Sequence, residues 1–77
     1  MITFTDELHN KLVDMFEARA KNFGLKGKKK IAMQAEFFVG AIAVIDVLNV
    51  KNGGTDSCVT PRVYFSIMNG EELRKID

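Results

Sequence analysis

Ile31-Ala32-Met33-Gln34-Ala35-Glu36-Phe37-Phe38-Val39-Gly40-Ala41-Ile42-Ala43-Val44-Ile45-Asp46-Val47-Leu48 is the stretch that decides the fold. Fifteen of its eighteen residues are apolar or glycine, and from Phe37 to Ile45 no polar residue intervenes. At 3.6 residues per turn, such a segment makes about two and a half helical turns with apolar side chains on every side rather than on one stripe. A helix of that kind wants cover all round, and a 77-residue chain has few other elements to supply it. The sequence therefore points outward, to copies of itself or to a partner.

Length and composition narrow the setting. Residues 1–77 are expected to form a single small helical domain, and a chain this short buries only roughly two-thirds of its unfolded surface, so its stability depends on a good core or on oligomerisation. Cys58 is the only cysteine and has no partner for an internal disulfide, which favours a reducing, cytoplasmic environment. The start Met1-Ile2-Thr3-Phe4-Thr5-Asp6 has no basic leader before an apolar stretch, so no signal peptide is expected. The central run is long enough for a membrane span. However, an acid such as Glu36 or Asp46 costs about 2.5–3.5 kcal/mol near the bilayer centre, so the run is expected to be buried in protein, with no membrane partner.

Working outward on the N-terminal side, Thr5 is a helix cap, with Asp6 and Glu7 placed to complement the helix dipole. Leu8, Leu12, Met15, Phe16, Ala20 and Phe23 recur at helical spacing. Glu7 with Lys11 and Glu17 with Lys21 stand four apart in the favourable order. Gly24 is a helix stop and Leu25 the apolar residue that folds back over it. These signals predict a first helix over about 5–23 and a second over about 28–50, ended by Lys51-Asn52-Gly53-Gly54 and folded back on the first as an antiparallel pair. On the C-terminal side, Thr60-Pro61 predicts a short third helix over about 60–69. The alternation of Val63, Phe65 and Ile67 with polar neighbours supports a strand over 59–68 as the alternative, which would make the fold α+β. The expected architecture is mainly α, in a helical oligomer. Gly40, Ala41 and Ala43 are small enough for another backbone to approach, and with Phe37, Phe38 and Val44 they form the candidate interface.

Charge marks the candidate ligand site. The net charge is only +1, but residues 21–30 alone carry +5. Lys26, Lys28, Lys29 and Lys30 cluster around the start of the second helix, where unpaired N–H groups and the dipole already make the potential positive. Lysines there work against the helix, an arrangement that suits a phosphate-bearing ligand or an acidic protein surface. It equally suits a solvated turn. The glycines do not fit a phosphate-binding loop, because Lys29 stands where Ser or Thr is required. Arg19 projects between Leu8 and Leu12 and is a further candidate for the anion site, with Glu36 its natural intrachain partner unless its stem covers the core and its head reaches water. Asp46, among apolar neighbours, marks a wet edge or pairs with Arg62 across a subunit contact.

Catalytic signals are sparse. His9 is the only histidine, on the flank of the first helix, and Asp6-x-x-His9 is half of a carboxylate–histidine metal pattern with no second half. Cys58, Ser57, Ser66 and Tyr64 match no nucleophile motif, and Asp14 and Glu17 read as solvated. No enzyme activity, metal or cofactor is expected. Nucleic acid is a weaker partner than a small anion, since the chain is nearly neutral and no recognition helix follows a turn.

Thr5 with Glu7-Leu8, then Asn22-Phe23-Gly24-Leu25-Lys26-Gly27, then Ala35-Glu36-Phe37-Phe38-Val39-Gly40-Ala41, resembles small accessory proteins carried by bacteriophages and prophages. The resemblance covers roughly the first two-thirds of the chain and includes no motif of known role. It implies action in the host cytoplasm, with counter-defence a frequent task, performed by blocking a host protein or sequestering a nucleotide-like signal. The expectation is a non-enzymatic homo-oligomeric binding protein of phage type. A small nucleic-acid-associated regulator and a protein-only inhibitor of a host enzyme are the alternatives.

Overall fold

Thr5 opens the first helix as its sequence predicts: the hydroxyl accepts the Leu8 N–H at 3.1 Å, satisfying one of the free donors of the first turn. The computed structural model describes residues 2–53 and 66–76. Helix α1 spans Asp6–Phe23, and Gly24 ends it in the left-handed conformation at φ 64°. The Leu25 N–H returns to the Ala20 carbonyl at 2.9 Å and the Gly24 N–H to Lys21 at 3.3 Å. This is the paired closure that a C-terminal glycine permits, and it seats Leu25 against the core.

Helix α2 spans Gly27–Lys51. The Gly24–Lys26 link leaves it no course but back along α1, and contacts confirm the antiparallel sense. Ile2 meets Asn49, His9 packs near Phe38, and Glu17 reaches Lys30. The fold is mainly helical, with no strand among the described residues. Of the short third helix, residues 66–68 are described, and Gly70, at φ 68°, turns the chain into a non-helical segment over 71–76. Residues 60–65 of the expected third helix, and the same part of the strand alternative, lie outside the described residues.

The core is built from Phe4, Leu12, Val13, Phe16, Ala20, Phe38, Ile42 and Leu73. Two of its members, Phe4 and Leu73, come from the non-helical segments at either end, which lie over the helix pair. The buried face of α1 is rotated from the expected one. His9, Leu12, Val13, Phe16 and Ala20 point inward, whereas Met15 and Phe23, both expected inside, are exposed. The shift follows from the chain's size: with one partner helix, α1 buries only a stripe, and the 9-13-16-20 spacing is the one that faces Phe38.

Among the described residues, helix α2 is covered on one side only. Gln34, Phe38, Ile42 and Asn49 are buried, while Val39, Val44, Val47 and Val50 are more than half exposed. Within one chain, among the described residues, α1 and the two end segments cover a single flank of α2 and leave the rest of the run exposed.

Candidate functional site

Three side-chain carboxamides hold the ends of the chain. Asn49 accepts the Ile2 N–H at 2.7 Å on Oδ1 and donates to the Ile2 carbonyl at 2.8 Å from Nδ2. Asn10 does the same with Ile76, at 2.6 Å in each direction. Gln34 donates to the Glu71 carbonyl at 2.8 Å and accepts the Leu73 N–H at 2.9 Å. A carboxamide carries one acceptor and one donor in the plane of a peptide group, so each replaces a stretch of strand pairing and lets non-helical backbone lie on a helix without leaving polar groups unpaired. His9, only 3% exposed, adds a fourth tie through Nε2 and the Arg74 carbonyl at 2.8 Å. A carbonyl only accepts, so Nε2 is the protonated nitrogen, and Nδ1 is buried with no partner among the described residues. The ring lies near Phe4 and Phe38, with centroids 6.2 and 6.0 Å away. His9 was expected on a silent surface flank; it is a core residue instead.

The lysine cluster divides. Lys30 donates to Glu17 Oε2 and to Glu72 Oε1, both at 3.0 Å, tying α1, α2 and the C-terminal segment together. Hydrogen bonding to Glu17, then to Glu72, raises its pKa above the usual 10.5, against the opposing effect of desolvation. The i, i+4 pairing expected of Glu17 with Lys21 is replaced by this contact. Lys30 is thereby removed from the free part of the candidate ligand site. Lys26, Lys28 and Lys29 are exposed. Lys26 and Lys28 border a hollow of about 770 Å³ with Leu25, Ile31, Ala32 and Glu72 among its other walls. Lys26 makes no side-chain capping bond, and the first turn of α2 contains no acid.

Arg19 is exposed, and its guanidinium stands 5.9 Å from the centre of the Phe37 ring. It borders a second, smaller hollow of about 300 Å³ together with Phe16, Phe23, Met33 and Glu36. No ion pair with Glu36 forms; the side chain lies by the Phe37 ring with its head exposed, the other of the two arrangements expected of it. Arg19 therefore does not join the lysines.

The expected interface residues also separate. Phe38 is 0% exposed and belongs wholly to the chain's own core, which removes it from any interface. Phe37 and Ala41 are half-buried against that core, while Gly40, Ala43 and Val44 face outward. A Cβ added at Gly40 meets nothing within 4 Å, so no helix crosses there among the described residues. Going round α2 at 100° per residue, Lys29, Glu36, Gly40, Ala43 and Val47 fall opposite Phe38. With Met33 and Val50 they repeat at alternating spacings of four and three, the seam of a coiled coil. Asp46 is half-buried, its Oδ1 enclosed with no hydrogen-bond partner among the described residues; the suggested partner, Arg62, lies outside them.

Among the described residues no three His, Cys, Asp or Glu side chains come together in a metal-binding group. The sequence reading passed over Asn10, Asn49 and the clamping role of Gln34. The signal available for two of them was position, since Gln34 and Asn49 share the Phe38 stripe. No protein-family model, curated protein or solved structure matches the chain.

Proposed function

We propose that this protein acts by binding rather than by chemistry, as a homo-oligomer assembled on the outward face of α2. The observation that carries the reading is that face: a continuous strip of Gly40, Ala43, Val44, Val47 and Val50 exposed among the described residues. Exposed apolar strips of this length are uncommon on monomers and mark association surfaces. Helix α2 also has the length and hydropathy of a membrane span. Spanning would require either stripping α1 from it or carrying Asp14, Glu17 and Arg19 into hydrocarbon, which favours a protein neighbour over lipid.

Lys26 and Lys28 supply the ligand-facing charge in this reading, with Lys29 exposed beside them on the outward side of α2. The apolar wall formed by Leu25, Ile31 and Ala32 beneath a cationic rim suits a phosphate-bearing, nucleotide-like molecule or an acidic host surface. The phage resemblance adds an accessory role in an infected cell, with counter-defence as its natural setting.

Native mass spectrometry of the full chain as purified tests both parts. The expected result is a defined oligomer, reduced to monomer by Val47→Glu, with any retained ligand lost on changing Lys26, Lys28 and Lys29 together to glutamate. A monomer at micromolar concentration overturns the oligomer. An oligomer whose ligand binding survives the triple change overturns the lysine assignment.

A further inference from the structure

We infer that Glu72 is a built-in competitor for the lysine-rimmed hollow, a carboxylate held on Lys30 in the place that a phosphate group of the ligand takes over. This rests on the ligand reading proposed above and specifies how that site is regulated. Lys26, Lys28 and Lys30 all line the hollow, and Glu72 is the one acid that lines it among the described residues. Lys30 donates to Glu72 Oε1 at 3.0 Å, so the hollow's third lysine is already engaged by the chain's own anion.

The backbone sets the carboxylate there. Gln34 donates to the Glu71 carbonyl and accepts the Leu73 N–H, the two groups that flank Glu72, and Leu73 is anchored in the core. With its neighbours fixed, Glu72 is presented to Lys30 while its side chain stays 43% exposed. Lys30 has a second, independent hold, because Glu17 Oε2 on α1 accepts from it at 3.0 Å and Glu17 is not among the residues lining the hollow. An ammonium has three donors. When Glu72 swings away, Glu17 keeps Lys30 in position and the released N–H turns to the incoming group.

Magnitudes favour the exchange. An exposed carboxylate–lysine pair holds by a factor of about five at most. A phosphate group brings about two negative charges and three acceptor oxygens against the single charge of Glu72. Glu72 therefore weakens binding without preventing it, and sets a threshold that a phosphate-bearing ligand must exceed.

Calorimetric titration of the full chain with inorganic pyrophosphate at low salt tests the competition. Glu72→Gln keeps the shape and removes the charge, and is expected to tighten binding about fivefold. In a Lys30→Met background the same change is expected to gain less than about twofold, because the contest is over Lys30. Unchanged or weaker binding by Glu72→Gln overturns the competition and makes Glu72 a support for Lys30, while leaving the phosphate site standing. A full gain in the Lys30→Met background shows that Glu72 acts only through its overall charge, and overturns the displacement. Pyrophosphate binding by neither wild type nor Glu72→Gln overturns the inference together with the phosphate reading beneath it.

Discussion

Asn49 makes both hydrogen bonds of its clamp to one residue 47 positions away, accepting from the Ile2 amide and donating to the Ile2 carbonyl. The clamp holds the segment that delivers Phe4 to the core, so local polar geometry and apolar burial depend on each other. Asn49→Ala is expected to cost about 1–3 kcal/mol, read from urea unfolding, the range for losing buried hydrogen bonds. Asn49→Asp is the sharper change. A carboxylate still accepts from the Ile2 amide but presents a second oxygen to the Ile2 carbonyl, so at neutral pH it should be less stable than Asn49→Ala. The introduced acid is disfavoured in its charged form, so its folded pKa lies above its unfolded value. Its stability therefore returns as pH falls through that raised folded value and is fully restored by about 4, the unfolded value, where the protonated acid donates again. A stability profile for Asn49→Asp that parallels wild type between neutral pH and pH 3 would refute the two-way clamp.

Gln34 performs the matching task at the other end of the chain, and there the Leu73 N–H it accepts is buried. Gln34→Leu keeps the bulk but leaves that amide and the Glu71 carbonyl without partners. The expected loss is about 2–3 kcal/mol. Amide exchange at Leu73 should accelerate more than exchange in the middle of α1, because the C-terminal segment is released before the helix pair opens. Equal acceleration throughout would mean that Gln34 supports the fold globally rather than through the clamp.

Lys30 gives the chain an alkaline limit. Its folded pKa is raised by Glu17 and Glu72, so its contribution is fully present below the unfolded lysine value and is lost as pH rises through the folded one, that is, above about 10.5. Its side chain is 21% exposed and those of its partners more than 40%, so solvent screening keeps the contribution small, about 0.5–1 kcal/mol. Lys30→Met should lower stability by that amount at pH 7 and flatten the decline above pH 10. A Lys30→Met chain with an unchanged alkaline decline would place its cause elsewhere.

The helix pair was legible because its punctuation is local: Thr5, Gly24 and Leu25 act on groups within five residues of themselves, and each does what its position predicts. The failures are those of distance. His9 looked like a surface residue because nothing nearby in sequence announces Phe4, Phe38 and the Arg74 carbonyl around it. Lys30 read as one of four equivalent lysines because its partners come from α1 and from residue 72. Met15 and Phe23 fitted an apolar period, but a single neighbouring helix selects a narrower stripe than the period allows. For Arg19 the sequence offered Glu36 as a partner or a covering stem with its head in water, and the exposed guanidinium beside the Phe37 ring fits the second.

Gly40 separates the stability of the folded chain from that of its assembly. In a helix interior, replacing glycine by alanine adds up to about 1 kcal/mol by restricting the unfolded backbone. The new methyl meets nothing within 4 Å in the chain itself. Gly40→Ala should therefore raise the melting temperature measured at concentrations where the chain is monomeric. If copies associate on the outward face of α2 through Gly40, the same methyl holds the backbones apart, and the dissociation constant of the assembly from sedimentation should rise. Gly40→Leu should exaggerate the second effect. Opposite signs in the two measurements identify Gly40 as a contact between copies, whereas a gain in both shows that association does not use Gly40.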